Sequence, residues 1–394
     1  MEFKKVKLSE LGEIVGGSTP STKNIDNYGG DISWITPKDL ANYNKVFIKS
    51  GERSITEKGF KSCSAKMLPK NSILFTSRAP IGYIAIAEKE LCTNQGFKSI
   101  IPNSNVDYLF LYYLLKYNKE YVANFGSGTT FKEVSGTVMK NIEVNVPENI
   151  EDQRKISSIL FSIDTKIELN NKINDNLHNL VEQQFIEVYK NGRETTLGEL
   201  LENISTGSRP KGGAQSVGIP SVGAEKIEKF GVYDYSSEKY ISEDFYEKLK
   251  NGKMKSGDVL LYKDGAYTGK VSMCLNGFPH KKSAVNEHVF ILNTKNNWAQ
   301  NYLYFTLYNR ENKEMLEKLA GSKAAQPGLN QGELRSLKIN ICDKETIENF
   351  EIKVKPIMEN IANNSLENKK LAELKDTLLP KLMNGEIDVD KIEI

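Results

Sequence analysis

The sequence predicts an α+β protein in which two mixed α/β domains stand in tandem, separated by two long helices that pair as an intramolecular coiled coil. Three observations lead there. Residues 152–189 contain neither Pro nor Gly and carry a heptad seam. The seam recurs 194 residues later. The stretches that precede the two helices also repeat one another, at shifts of 186 to 195 residues.

In the first helix the apolar residues come in steps of four and three: Ile156, Leu160, Ile163, Ile167, then Leu177, Val181 and Val188. Where the seam should continue it carries Asn170, Asn174 and Gln184. Such a helix is roughly 55 Å long at 1.5 Å per residue. It is too long and too thinly apolar for a core helix, and it needs one partner. Adding 194 to each seam position gives Phe350, Val354, Ile357, Ile361, Asn364, Asn368, Leu371, Lys375, Leu378 and Leu382. Both mid-seam asparagines fall on asparagines. A buried Asn costs stability and fixes register, which suits two helices that pair in a single alignment. The alternative is two unrelated surface helices in an Asn-rich composition. Pro356 predicts a kink, or the proper start of the second helix, and Pro380 an end or bend near Leu382. His178 is expected on the solvent side of the first helix.

The chain then divides into a domain at 1–150, a helix at 151–190, a second domain at 191–342, and a helix with its tail at 343–394. Within the domains SELGEIVGGSTP faces TLGELLENISTGSRP, with Leu11 falling on Leu197. GDISWITPKDL faces VGIPSVGAEKI, an apolar strand before a polar turn. LPKNSILFTSRAPIGYIAIA faces MKSGDVLLYKDGAYTGKVSM, a buried strand, a Gly-containing loop and a returning strand. Asn94-Gln95 faces Asn286-Glu287, and Gly126-Ser127 faces Gly321-Ser322. MKNIEVNVP and LRSLKINIC are alternating strands that lead into the long helices. The drift in shift means loop insertions, which belong on surfaces. Each domain adds one amphipathic helix, near Asp107–Asn118 and Trp298–Leu319, whose aromatics (Tyr108, Phe110, Tyr112, Tyr113) read as core rather than as a ligand platform.

Bulk properties exclude several classes. No apolar run approaches the 18 residues of a membrane span, and the start MEFKKVKLSELGEIV lacks a signal-peptide core. Cys63, Cys92, Cys274 and Cys342 show no CxxC spacing, and neither His280 nor His288 has a ligand-spaced partner, so no metal site is expected. This reads as a soluble protein of a reducing cytoplasm. The net charge of +2 hides a division: residues 1–150 hold 19 Lys/Arg against 15 Asp/Glu and residues 191–342 hold 21 against 17, while both helical segments are acidic. Two modestly basic blocks suit a polyanion.

Three stretches carry a family resemblance. NFGSGTTFKEVSGTVMKNIEVNVPENIEDQRKISSILFSIDTKI resembles the join between recognition domain and conserved helix in specificity (S) subunits of type I restriction-modification systems, with the strand, Pro-rich turn, Glu-Gln and helix pattern at Val144–Ile156. LFTSRAPIGYIAIA and TNQGFKSI resemble strand-and-loop segments of the same domains, and LLPKLMNGEI the close of the second conserved helix. The resemblance spans nearly the whole chain in the order domain, helix, domain, helix. The second half departs from it: Cys342–Phe350 lacks the Pro-x-Glu-Gln signature, and Asp264 stands where the first half has Arg78. The resemblance implies an antiparallel helix pair holding two target-recognition domains apart, so that they read an asymmetric bipartite site on double-stranded DNA. It implies no chemistry and no cofactor of the chain's own. It implies assembly with two methyltransferase (M) subunits, which methylate adenine with S-adenosylmethionine, and with restriction (R) subunits that cleave using ATP.

The motifs agree. No NPPY-like tetrad is present, and FGSG at Phe125–Gly128 has the wrong spacing for a methyl-donor loop. GAYTGKV at Gly265–Val271 is one residue short of a P-loop and ends in Val, so it reads as a hairpin loop. EDQRK at Glu151–Lys155 reads as a helix start. DNA contacts are therefore expected from polar and basic loops: Ser18, Thr19, Lys23, Lys38, Ser77, Arg78, Gln95, Lys98, Thr130 and Lys132 in the first domain, and Arg209, Lys211, Lys226, Lys263, Lys281, Lys282, Asn286, Lys323 and Gln326 in the second. For each, a solvated surface charge is the plain alternative, and Gly82 and Gly96 read as turn glycines. Two other functions compete: a fused nuclease-methyltransferase, which needs the missing motifs, and a coiled-coil interaction protein without DNA binding, which leaves two basic loop-rich domains unexplained.

Overall fold

The computed structural model describes residues 1–128, 132–265, 267–321 and 328–389. The chain divides into two compact units, Met1–Glu168 with Leu371–Ile394, and Leu169–Lys370. Each long helix contributes to both. The first runs Ile150–Tyr189 and the second Lys344–Met383. The second begins well before Pro356, so the helix does not start at that proline. The proline removes the donor that would serve the Ile352 carbonyl one turn back, and Ile352 is exposed.

In the first unit a five-stranded sheet runs in the order Gly12–Gly16, Lys98–Pro102, Ile73–Ser77, Ile81–Ala87, Phe47–Ile48, with only the last strand parallel to its neighbour. All five residues of Ile73–Ser77 are buried, as a central strand covered on both faces requires. A three-stranded sheet pairs Ser54–Ile55 with Tyr28–Ile35, which lies parallel to Cys92–Thr93. Phe3–Lys7 closes on Glu143–Pro147, the strand that feeds the first long helix. Helices Tyr108–Tyr117 and Lys119–Asn124 cover the sheet, and Phe110, Tyr112 and Tyr113 are buried in the core as expected.

The second unit repeats this plan. Its four-stranded sheet runs Leu201–Thr206, Val289–Thr294, Val259–Tyr262, Val271–Met273. Tyr240–Ile241, Ile219–Val222 and Ala284–Val285 form the small sheet, again with its last pair parallel. Arg193–Thr196 closes on Lys338–Ile341. The helix expected at Trp298–Leu319 is two helices, Gln300–Tyr308 and Arg310–Gly321. They break at Asn309, whose side chain accepts from the Glu311 amide at 3.0 Å and so starts the second helix.

Polar links tie the start of each covering helix to its long helix, with side-chain donor and acceptor exchanged between the units. In the first, Ser157 donates to Asp107 at 2.7 Å, and Gln153 accepts from the Asp107 amide at 3.1 Å. In the second, Asn301 donates to Glu351 at 2.7 Å, and Glu351 also accepts from the Tyr302 amide at 2.8 Å. Ile347 stands where the first helix has Gln153, and Glu351 serves for both Ser157 and Gln153.

The long helices pack antiparallel. In the first unit Ile156 and Leu160 share a core with Leu382 and the partly buried Leu378, and Asp164 is ion-paired with Lys375. Ile163 is buried, while Ile167 and Leu371 are partly exposed. In the second unit Val181, Leu177, Phe350, Val354, Ile357 and Ile361 join one core. Asn170 donates to Asn368 at 2.9 Å, and Asn174 accepts from Asn364 at 2.9 Å, so numbers rise along one helix as they fall along the other. The Asn pairs lie where an antiparallel seam puts them.

His178 is not on the solvent side. It is buried among Tyr304, Phe305 and Tyr308, with Nε2 2.9 Å from the Tyr304 hydroxyl. That hydroxyl also accepts from the Phe230 amide at 3.1 Å. The other ring nitrogen, Nδ1, is buried and has no hydrogen-bond partner.

Candidate nucleic-acid interface

In the first unit four segments converge on one rim. Gly17 ends the Gly12–Gly16 strand against the carbonyls of Thr93 and Asn94, where a Cβ would overlap both oxygens. The Ser18 amide donates to Thr93 O at 3.0 Å, and Trp34 Nε1 donates to Ser18 O at 3.1 Å. The Asn94 amide donates to Ile35 O at 2.9 Å, while its side chain accepts from the Gly96 amide at 2.9 Å. This Asx turn leaves Gln95 exposed at its tip. The hydroxyl of Thr19 donates to Gln95 Oε1. The Ser77 amide donates to Gly96 O at 2.8 Å, and the Val134 amide to Ser77 O at 3.0 Å. Arg78 then faces Glu133 at 3.5 Å, and Glu133 also meets Lys98 at 3.3 Å.

The second unit builds the same frame. Gly207 lies against the Val285 carbonyl, where a Cβ would overlap the oxygen. The Asn286 amide donates to Val222 O at 3.1 Å, and its side chain accepts from the His288 amide at 2.9 Å. The Lys263 amide donates to His288 O at 3.1 Å, and the Leu329 amide to Lys263 O at 2.7 Å. On this frame the side chains differ. Arg209 meets Glu287 at 2.9 Å where Thr19 met Gln95. His288 Nδ1 meets Asp264 at 2.7 Å, and Asp264 meets Lys263 at 3.3 Å, where the first unit has Gly96, Arg78 and Ser77.

Several of the expected contact residues are engaged within the protein. Ser77 is fully buried and its hydroxyl donates to Gly96 O, so it holds the turn and does not reach the surface. The Lys226 side chain is 9% exposed, bound to Asp234 at 3.0 Å and to the Ser236 carbonyl. Lys98 is spent on Glu133, and Asn286 on its turn. Lys282 is held by Glu243 and Glu247 over the Tyr246 ring, and Lys38 pairs with Glu52 at 2.7 Å. Lys263 lies 5.4 Å from the Phe290 ring centroid. Lys23, Lys132, Lys211 and Lys281 are exposed. Thr130, Lys323 and Gln326 lie outside the described residues. Glu133, Asp264, Glu287 and His288 stand in the same frame and are not among the expected contacts, although Glu287 belongs to the turn that aligns with Asn94-Gln95.

Among the described residues no helix is long and apolar enough to cross a membrane, and no three His, Cys, Asp or Glu side chains gather as a metal site. Two units with one loop frame, two side-chain sets and a pair of long helices that contributes to both define a duplicated scaffold. Comparison with known proteins makes this specific. Residues 1–179 match a family model described as type I restriction modification DNA specificity domain. The MjaIX specificity subunit of a type I restriction enzyme from Methanocaldococcus jannaschii is 35% identical over 98% of this chain and 94% of its own length. The HindI specificity subunit from Haemophilus influenzae is 31% identical over 41% of this chain and 33% of its own. A crystal structure of a type I restriction-modification system S subunit from M. genitalium shares the fold, with a TM-score of 0.63 over 97% of this chain and 96% of that one at 17% identity. The chain belongs to the family of type I restriction enzyme specificity subunits.

Proposed function

We propose that this chain reads an asymmetric, bipartite site on double-stranded DNA, with residues 1–150 reading one half-site and residues 191–342 the other. The segments 151–190 and 343–394 set the spacing, and a forty-residue helix, roughly 60 Å long, exceeds the roughly 34 Å of one DNA turn. The observation that carries the reading is the loop frame repeated around Asn94 and Asn286 with its outward side chains changed. A device copied in its scaffold and altered at its tips suits two different sequences of one polymer. The chain brings no chemistry of its own. It recruits two methyltransferase subunits and the restriction subunits, which bring S-adenosylmethionine and ATP.

Co-expression with the methyltransferase subunit, followed by genome-wide mapping of methyladenine by long-read sequencing, tests this. One gapped, asymmetric motif modified on both strands is expected. A continuous motif would sink the spacing role, and a well-formed complex without methylation would favour a scaffold without DNA reading.

A further inference from the structure

We infer that Thr19 with Gln95, and Arg209 with Glu287, are base-reading pairs at equivalent places, and that the first reads an A·T pair where the second reads a G·C pair. This rests on the bipartite reading above and adds which residues read which bases.

Phosphates are the same in both half-sites, so a position that holds phosphate should keep its cation from one unit to the other. These positions do the opposite. A neutral pair in the first unit, where Thr19 donates to Gln95, becomes Arg209 and Glu287 at 2.9 Å in the second. A carboxylate facing phosphate is repelled, so Glu287 is misplaced for backbone binding. The neighbouring position agrees, since Arg78 becomes Asp264. Meanwhile the parts that only shape the loops stay constant: Gly17 and Gly207 at the close approach, and Asn94 and Asn286 in the turn. Constant shape with changed polarity is what two different base pairs require.

The chemistry selects the bases. A Gln amide places one donor beside one acceptor and matches adenine N7 and N6. The Thr19 hydroxyl uses one lone pair of Gln95 Oε1 and orients the amide, leaving Nε2 and the other lone pair free. The Arg fork matches guanine O6 and N7, and Glu287, with Oε2 buried and Oε1 against Arg209 and His288, holds that fork in place. Arg209 meets Glu287 through Nη2, and the second hydrogen of that nitrogen, beside its neighbour's, still forms a fork for guanine, held in place by the ion pair.

The complex with the methyltransferase subunit tests this by methylation mapping of wild type, R209T/E287Q and T19R/Q95E. The first double variant should lose the requirement for one G·C pair in one half-site and leave the other half unchanged. The second should alter one A·T position in the other half. Should a double variant fail to assemble, Arg209→Lys decides: it keeps the charge, loses the fork, and should methylate the wild-type site about 10- to 100-fold more slowly. The inference is overturned by a wild-type gapped motif that the variants leave unchanged, by changes in both half-sites from one variant, or by an altered position that is not G·C for Arg209. An ungapped wild-type motif overturns the bipartite reading itself, and the inference with it.

Discussion

Asn364 donates its side-chain amide to the Asn174 carbonyl oxygen at 2.9 Å, in the seam between the long helices. Asn174 in turn donates to Ser365 at 3.1 Å, and Ser365 donates to the Gly231 carbonyl at 2.7 Å. Removing one partner strands the others, so Asn174→Ala should cost about 1–3 kcal/mol in urea unfolding. Replacing both, as N174L/N364L, should leave the midpoint unchanged or raised. The double variant should instead lose register and self-associate, visible by light scattering after gel filtration. An N174A midpoint equal to wild type would show that the pair carries no weight.

Glu351 binds the start of helix Gln300–Tyr308, and burial pushes its carboxyl up to about 7 while the bonds from Tyr302 and Asn301 act against the rise. Between the ordinary carboxyl range and pH 7 the folded protein keeps a proton that the unfolded chain has released. Stability from this group is therefore full below the unfolded pKa and is lost as pH rises toward 7, by roughly 3 kcal/mol at most. Glu351→Gln should flatten that slope and gain stability at pH 8. Melting curves from pH 5 to 8 that run parallel for variant and wild type would refute this.

His178 works in the opposite direction. Burial holds its imidazole down to about 3, with the Lys229 charge adding to the effect. The unfolded chain protonates near 6.5, so stability is lost as pH falls from there toward 3. His178→Phe, in a pocket of Tyr304, Phe305 and Tyr308, should remove this acid sensitivity. It also removes the hydrogen bond between the ring and the Tyr304 hydroxyl, at about 1 kcal/mol near pH 7.5. Equal acid shifts in both proteins, measured on an E351Q background, would contradict the assignment.

The seam was legible because two Asn residues four apart, at one point of a heptad, are hard to obtain by chance, and antiparallel pairing sets 170 against 368 and 174 against 364. The repeated loop frame was legible through Asn94 and Asn286. His178 was not, because a lone polar residue off the seam reads as solvent-facing. Its partners, Tyr304 and Phe305, come from a helix more than 120 residues away. Lys226 and Lys211 look alike in sequence, and only the fold buries the first against Asp234 and leaves the second exposed. Long-range burial decides which charges are free, and local pattern does not encode it.

Gly207 sets the loop that leads to Arg209 against the Val285 carbonyl. Gly207→Ala forces backbone to move, at about 1–3 kcal/mol, and should displace Arg209 two residues on. Gapped-motif mapping should then show one half-site weakened and the other intact. Gly16→Ala, at a position with open space for a Cβ, is the matched control and should change neither half.

The exposed lysines are expected to hold phosphate, since Lys contributes a point charge without the planar fork that reads guanine. Lys211 is exposed on the loop that follows Gly207, so Lys211→Ala in the assembled methyltransferase complex should weaken binding to every duplex alike and leave the methylation motif unchanged. The slope of log K against log salt should shrink by about 0.9, the loss of one phosphate contact. Lys226 gives the contrast. Its ammonium is held by Asp234 at 3.0 Å and by the Ser236 carbonyl, so Lys226→Ala should leave the salt slope at its wild-type value and lower the melting temperature. Filter binding at four salt concentrations separates the two. An unchanged slope for the Lys211 variant, or a reduced one for the Lys226 variant, would reverse the assignment of which cations face the DNA.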